Sequence, residues 1–249
     1  MVPVNPKAYA EAVIEGVRNI SPPGTHQRRR TGTGSAFESS IKAIQEAAKW
    51  LESELRSETS ADPTFYAYEF SLEITSHLYA AGASHEEWRS WSSLAAIGSA
   101  IRGEKSDACT YAILSGDHSI LRSLGTYHNA QDIHGSALWK LAVDRNLELE
   151  EDGQLDALDS AWVKLAKSIT GGDHIRTEES LQLLAEYWIE EDEDWDVFHP
   201  RSYPCFDPYI CAGAALARRN GYRPHNLSQD VQKFLDPGLA PQIPDPFML

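Results

Sequence analysis

Apolar residues recur along this chain at steps of three and four. Such steps return a side chain to the same face of an α-helix. Asn5 caps and Pro6 opens a first helix carrying Tyr9, Val13 and Val17. The pattern then breaks over 21–35, where Pro22-Pro23-Gly24 and Arg28-Arg29-Arg30 sit among small polar residues, and a mobile loop is expected. It resumes with Phe37, Ile41, Ile44, Ala48, Leu51 and Leu55, which predict a long amphipathic helix.

Asp62-Pro63 starts the next helix. Its Phe65, Tyr66, Tyr68, Phe70, Leu72, Ile74, Leu78 and Tyr79 surround the circumference, so it reads as central and largely enclosed, ending at Gly82. Ser84 and Glu87 form a capping box ahead of Trp88, Trp91, Leu94, Ala95 and Ile101. Shorter helices follow. One spans Lys105 to Ser115 and stops at Gly116; Asp117 caps another over Ile120 to Leu124. Two more span Asp132 to Asn146 and Leu155 to Ile169. Thr177 begins a helix with Leu181, Leu184, Tyr187 and Trp188 as core residues.

Asp207-Pro208 opens a helix of small residues, stopped by Gly221, whose alanines and Gly213 let a neighbour approach closely. Ser228 to Leu235 is a last short helix. Residues 237–249 hold four prolines and no period, so an extended tail is expected there. No segment reads as a strand. The prediction is an all-α single domain over 1–249, built of antiparallel helical hairpins stacked in a bundle or short solenoid. A weak echo fits it: Ile113-Leu114-Ser115-Gly116-Asp117-His118 and Ile169-Thr170-Gly171-Gly172-Asp173-His174 share one helix-stop pattern.

Charge sharpens this picture. The 249 residues carry a formal net charge of -15, which argues against nucleic acid or an anionic membrane surface and fits a basic protein partner. Much of that charge sits in Glu190, Glu191, Asp192, Glu193, Asp194, Trp195 and Asp196, a run with six carboxylates and no basic residue. Carboxylates at a helix C-terminus oppose the macrodipole and repel one another. The helix is therefore expected to end near Glu190, with a charged loop beyond it as the partner-binding site. Trp195 either anchors that loop or serves as an exposed hot spot.

Candidate chemistry reads as structure. Asp117-His118 and Asp173-His174 are metal-ligand and acid/base types, but Gly-Asp at a helix junction is also stop and cap. His85-Glu86-Glu87 lacks a second histidine at zinc spacing, and Thr31-Gly32-Thr33-Gly34-Ser35 lacks the Lys-Ser/Thr of a phosphate loop. Nothing places His118, His128 and His134 on one face. Cys109, Cys205 and Cys211 are odd in number and match no zinc pattern, which points to a reducing cytosol. Cys205 and Cys211 flank a helix start, where a thiol can be activated, though buried apolar roles are commoner. The amino terminus lacks signal-peptide regions, and no stretch approaches the length of a membrane span. The expectation is a cytoplasmic, non-enzymatic protein with no catalytic set, metal or cofactor.

Two stretches together carry a family likeness. One is Ala108 to Leu124, a helix, a Gly-Asp turn and a short Ile-Leu-Arg-Ser-Leu helix. The other is Phe206 to Gly221, an alanine-rich helix ending Arg218-Arg219-Asn220-Gly221 after an acidic and aromatic segment. The chain resembles the immunity protein 49 family of bacterial polymorphic-toxin systems over roughly Phe65 to Leu239. It is also similar to the immunity proteins of PoNe-type DNase toxins, through Tyr203-Pro204-Cys205-Phe206. The resemblance implies a helical cytosolic protein that binds and neutralises a cognate toxin, without catalysis or cofactor. Two other readings stay open: a helical adaptor or scaffold, and a metal-dependent hydrolase using Asp117, His118, Asp173 and His174.

Overall fold

The computed structural model describes residues 5–18, 49, 52–53, 63–80, 85–124, 127, 132–144, 148–149, 155–191 and 207–239. Among these residues the regular structure is ten helices and no strand. In chain order they are α1 (Pro6–Arg18), α2 (Pro63–Ala80), α3 (His85–Arg102), α4 (Lys105–Ser115), α5 (His118–Ser123), α6 (Ile133–Ala142), α7 (Ala157–Gly171), α8 (His174–Glu191), α9 (Pro208–Arg219) and α10 (Gln229–Leu239). The fold is all-α. No described helix is long and apolar enough to cross a membrane. The 21–35 loop lies outside the described residues, as does the Phe37–Leu55 run apart from Lys49, Glu52 and Ser53, which are helical.

Helix boundaries follow from the orphan backbone groups at helix ends. Asn5 accepts from the Lys7 amide at 3.0 Å. At the two echoed segments the chain makes the same turn twice. Gly116 and Gly172 adopt φ of +79° and +72°, where a side chain on an L-residue is strained. Their amides, and those of Asp117 and Asp173, bond back to the carbonyls of Ala112, Ile113, Ser168 and Ile169. Each aspartate then starts the next helix. Asp117 accepts from the amides of Ser119 at 3.0 Å and Ile120 at 3.4 Å, and Asp173 from Arg176 at 3.1 Å. This second cap starts α8 at His174, three residues before Thr177. The Thr177 hydroxyl instead bonds Ser168 across the turn at 3.0 Å, fastening α7 and α8 into a hairpin.

Among the described residues the helix with the most neighbours is α9, whereas the sequence pointed to the aromatic α2 as central. α9 touches α4, α6, α7, α8 and α10, and every residue from Ile210 to Ala217 is buried. Small side chains explain this, because short reach brings several neighbours onto one axis. A Cβ at Gly213 would lie 3.1 Å from Leu165 and 3.4 Å from Trp162, so α7 sits hard against this glycine. α2 packs on α1 and α3 and leaves Phe65 40% exposed beneath the Arg102 guanidinium, 5.3 Å from the ring centre. α1 is held by Tyr9, whose hydroxyl pairs with Ser71 at 3.1 Å and fills the space over Gly98.

α10 extends the expected last helix by one turn, taking in Pro237, Gly238 and Leu239, the first residues of the predicted extended tail. Burial explains the extension. Val231, Phe234 and Leu235 pack into the core, and Gly238 lies against the Cys211 carbonyl, so packing overrides the amide that proline lacks. The Cys211 thiol donates to the Phe234 carbonyl at 3.3 Å across the same interface. Residues 240–249 lie outside the described residues. α6 stops at Ala142, four residues before Asn146, with Val143 at the surface.

Two outcomes are expected. Gly238→Ala drives a methyl into the Cys211 carbonyl and lowers stability by about 1–3 kcal/mol, read as a drop in urea midpoint at unchanged m. Asp117→Asn stays within about 0.5 kcal/mol of the parent, because Asn caps as well and Ser93, which donates to Asp117 at 3.3 Å, can accept instead. Asp117→Ala loses about 1 kcal/mol in the same measurement.

Candidate functional site

Several helices begin at one end of the bundle, and each brings a carboxylate. Asp132 caps α6 by accepting from the Gly135 amide at 2.8 Å. Asp156 caps α7 through the Asp159 amide at 2.8 Å, and Asp207 caps α9 through Ile210 at 2.8 Å. Asp107 lies in the first turn of α4. Side chains tie these starts together. Asp107 accepts from Tyr68 of α2 at 2.6 Å and from Tyr209 of α9. Asp132 accepts from Tyr127 and faces the His134 Nε2 at 3.0 Å, while the His134 ring stands edge-on to Tyr209, 4.5 Å between centres. A cavity of about 340 Å³ opens among Tyr68, Asp107, Asp132 and Tyr209, with Arg102 and Glu104 on its wall.

This grouping has a physical basis. Helix N-termini present free amides and the positive end of the macrodipole, so carboxylates gather there. Crowding them has a cost that appears in their acidity. Burial pushes the Asp207 carboxyl up to about 6, with Asp107 adding to it, against the hydrogen bonds of Ile210 and Tyr209. Burial and then Asp156 raise Asp159, while the nearby His134 lowers it.

α8 leads to the same end. It turns back on α7 at Gly172, and its 18 residues span about 27 Å against about 22 Å for the 15 of α7. Packed against α7 after that turn, its C-terminal end runs toward the end of the bundle where α7 starts. Its inner face buries Thr177, Ser180, Leu181, Leu184 and Ala185, with Trp188 and Ile189 packed partly into the core. One flank clamps the α9–α10 connection. Glu178 accepts from the Tyr222 hydroxyl at 2.8 Å and from the amides of His225 at 2.6 Å and Asn226 at 2.9 Å. Burial raises this carboxyl, but those bonds outweigh it and hold it below the ordinary range.

Of the sequence-predicted interface, Glu190 and Glu191 form the end of α8. Asp192, Glu193, Asp194, Trp195 and Asp196 lie outside the described residues. Tyr187, expected in the core, is 42% exposed; it lies about 100° round the helix from Trp188, toward the edge of the buried face.

The candidate chemical groups have structural uses. Asp117 and Asp173 cap helices, as the Gly-Asp pattern suggested. Burial, with Asp132 behind it, pushes the Cys109 thiol up to about 12, and burial and then Asp207 raise Cys211. Both thiols are buried. Cys205 and His128 lie outside the described residues. His118 opens α5 and His134 lies in α6, at opposite ends of α4. Among the described residues no group of three His, Cys, Asp or Glu side chains is placed to hold a metal ion.

Sequence reading missed the grouped carboxylates. The signal was present one helix at a time, as an aspartate at each start, but a list of caps carries no information on which starts meet.

The raised Asp207 gives a pH prediction. Its folded value near 6 exceeds the ordinary 3.8, so the folded chain holds an extra proton between those values. This contribution is fully present below about pH 4 and is lost as pH rises through about 6, amounting to roughly 3 kcal/mol. Asp207→Asn retains the cap and removes that slope, which the difference between parent and variant urea midpoints from pH 4 to 7 measures. No family model, curated protein or solved structure matches the chain, so the site is read from its own residues.

Proposed function

We propose that this chain is an immunity protein that neutralises a cognate bacterial toxin by stoichiometric binding to a basic surface on it. The observation that carries the reading is the grouping of the capping carboxylates of α6, α7 and α9 at one end of the bundle; in the sequence, the Glu190–Asp196 acid run begins where α8 ends. A surface of one sign steers an oppositely charged protein and raises its encounter rate. The net charge of -15 extends that field over the whole molecule. The family likeness of Ala108–Leu124 and Phe206–Gly221 supplies the toxin-binding role. Binding of this kind needs no catalytic group. The cell interior is the compartment this role requires.

The test uses the product of the neighbouring reading frame, expressed alone and with this chain. Co-expression restores growth, and the two proteins elute together at fixed stoichiometry. Replacing Glu191, Asp192, Glu193 and Asp194 with Ser slows association by about tenfold at low salt and flattens its salt dependence, with the fold unchanged by circular dichroism. A toxic neighbour that this chain neither binds nor neutralises ends the toxin reading. Salt-independent association that is unchanged by the four serines ends the acidic-interface reading.

A further inference from the structure

The outer arc of α8 is built as a contact surface. Of the five large apolar side chains exposed among the described residues, three lie on it: Ile175 at 74%, Leu183 at 47% and Tyr187 at 42%. At about 100° per residue, Ile175, Glu186, Glu179, Leu183 and Tyr187 fall within an arc of about 120°. The opposite face carries Leu181, Leu184 and Ala185 into the core, and Glu178 fixes the flank. The arc therefore belongs to a helix held rigidly from behind. Its carboxylates alternate with its apolar groups, and it runs to Glu190 and Glu191 at the acidic end of the bundle.

Resting on the reading above, we propose that this arc is the docking face for the basic partner, with Leu183 and Tyr187 as its apolar anchors. The occupant is a protein surface whose apolar residues are flanked by Lys or Arg. Charge complementarity identifies it, because Glu179 and Glu186 border the anchors, while the arc's cation, Arg176, lies one turn from the start and pairs with Asp173 at 3.5 Å. Burying apolar groups within a ring of paired charge gives both affinity and register. The acid run would draw the partner in, and the arc would hold it.

Leu183→Cys in the full chain, with Cys205→Ser as background, places a thiol on the arc while Cys109 and Cys211 remain buried. Maleimide labels that thiol in the free protein at the rate of an exposed cysteine. With the neighbouring-frame product at about ten times Kd, labelling slows about tenfold, since the unbound fraction alone reacts. Leu183→Ala weakens the complex by about tenfold and leaves the urea midpoint of the free chain in place. Slow labelling of the free chain overturns the inference: if independent of concentration, the chain covers its own arc, and if concentration-dependent, a second copy does. A complex that forms but leaves labelling and affinity unchanged overturns it while sparing the immunity reading. Failure of the parent chain to form any complex removes both.

Discussion

The amides that open a helix have no partners inside it. Bringing several helix starts to one end of a bundle multiplies that deficit in one place, and this protein meets it with aspartate at the starts of α6, α7 and α9. The acidic end of the molecule follows from that constraint. Tyr68, Tyr127 and Tyr209 then share out the carboxylates that face inward, and the Asp207 carboxyl, enclosed and near Asp107, holds its proton to about pH 6. Architecture and charge distribution are here one problem with one solution.

The starts can meet because α9 is thin. Ile210 to Ala217 is mostly alanine with one glycine, and α4, α6, α7, α8 and α10 all reach its surface. Gly213 admits α7, and Gly238 brings α10 onto the backbone at Cys211. Cys109 and Cys211 belong to the same economy of volume, as small buried groups whose thiols burial keeps protonated. The connection from α9 to α10 is fastened by Glu178, so the helix at the centre also fixes α8, whose other side faces outward.

On the proposed reading, a binding protein built this way would separate two tasks. Long-range attraction comes from net charge and from the grouped carboxylates, and depends little on detailed shape. Short-range fit needs apolar groups on a rigid support, which α8 supplies through Ile175, Leu183 and Tyr187. Along α8 these residues alternate with Glu179 and Glu186, so the proposed docking face would carry both kinds of group.

Local chemistry was written legibly in the chain. Helical period gave the fold class, Pro6, Pro63 and Pro208 marked helix starts, and the two Gly-Asp pairs were stop and cap, because those features depend on a few neighbouring residues. The acid run and the net charge were likewise there to read. What depends on distant residues was decided by tertiary structure. Aromatic bulk nominated α2 as the centre; among the described residues, packing sets the most neighbours around α9, since smallness matters for how many neighbours a helix can touch. Tyr187 reached the surface although Leu184 and Ala185 just before it are buried, and Pro237 joined a helix because Gly238 had a backbone to rest against. The sequence alone determined that this protein is helical and strongly acidic. Only the packed bundle decided where its carboxylates gather, because which helix starts meet is set by side-chain volume across the core and not by any local run of residues.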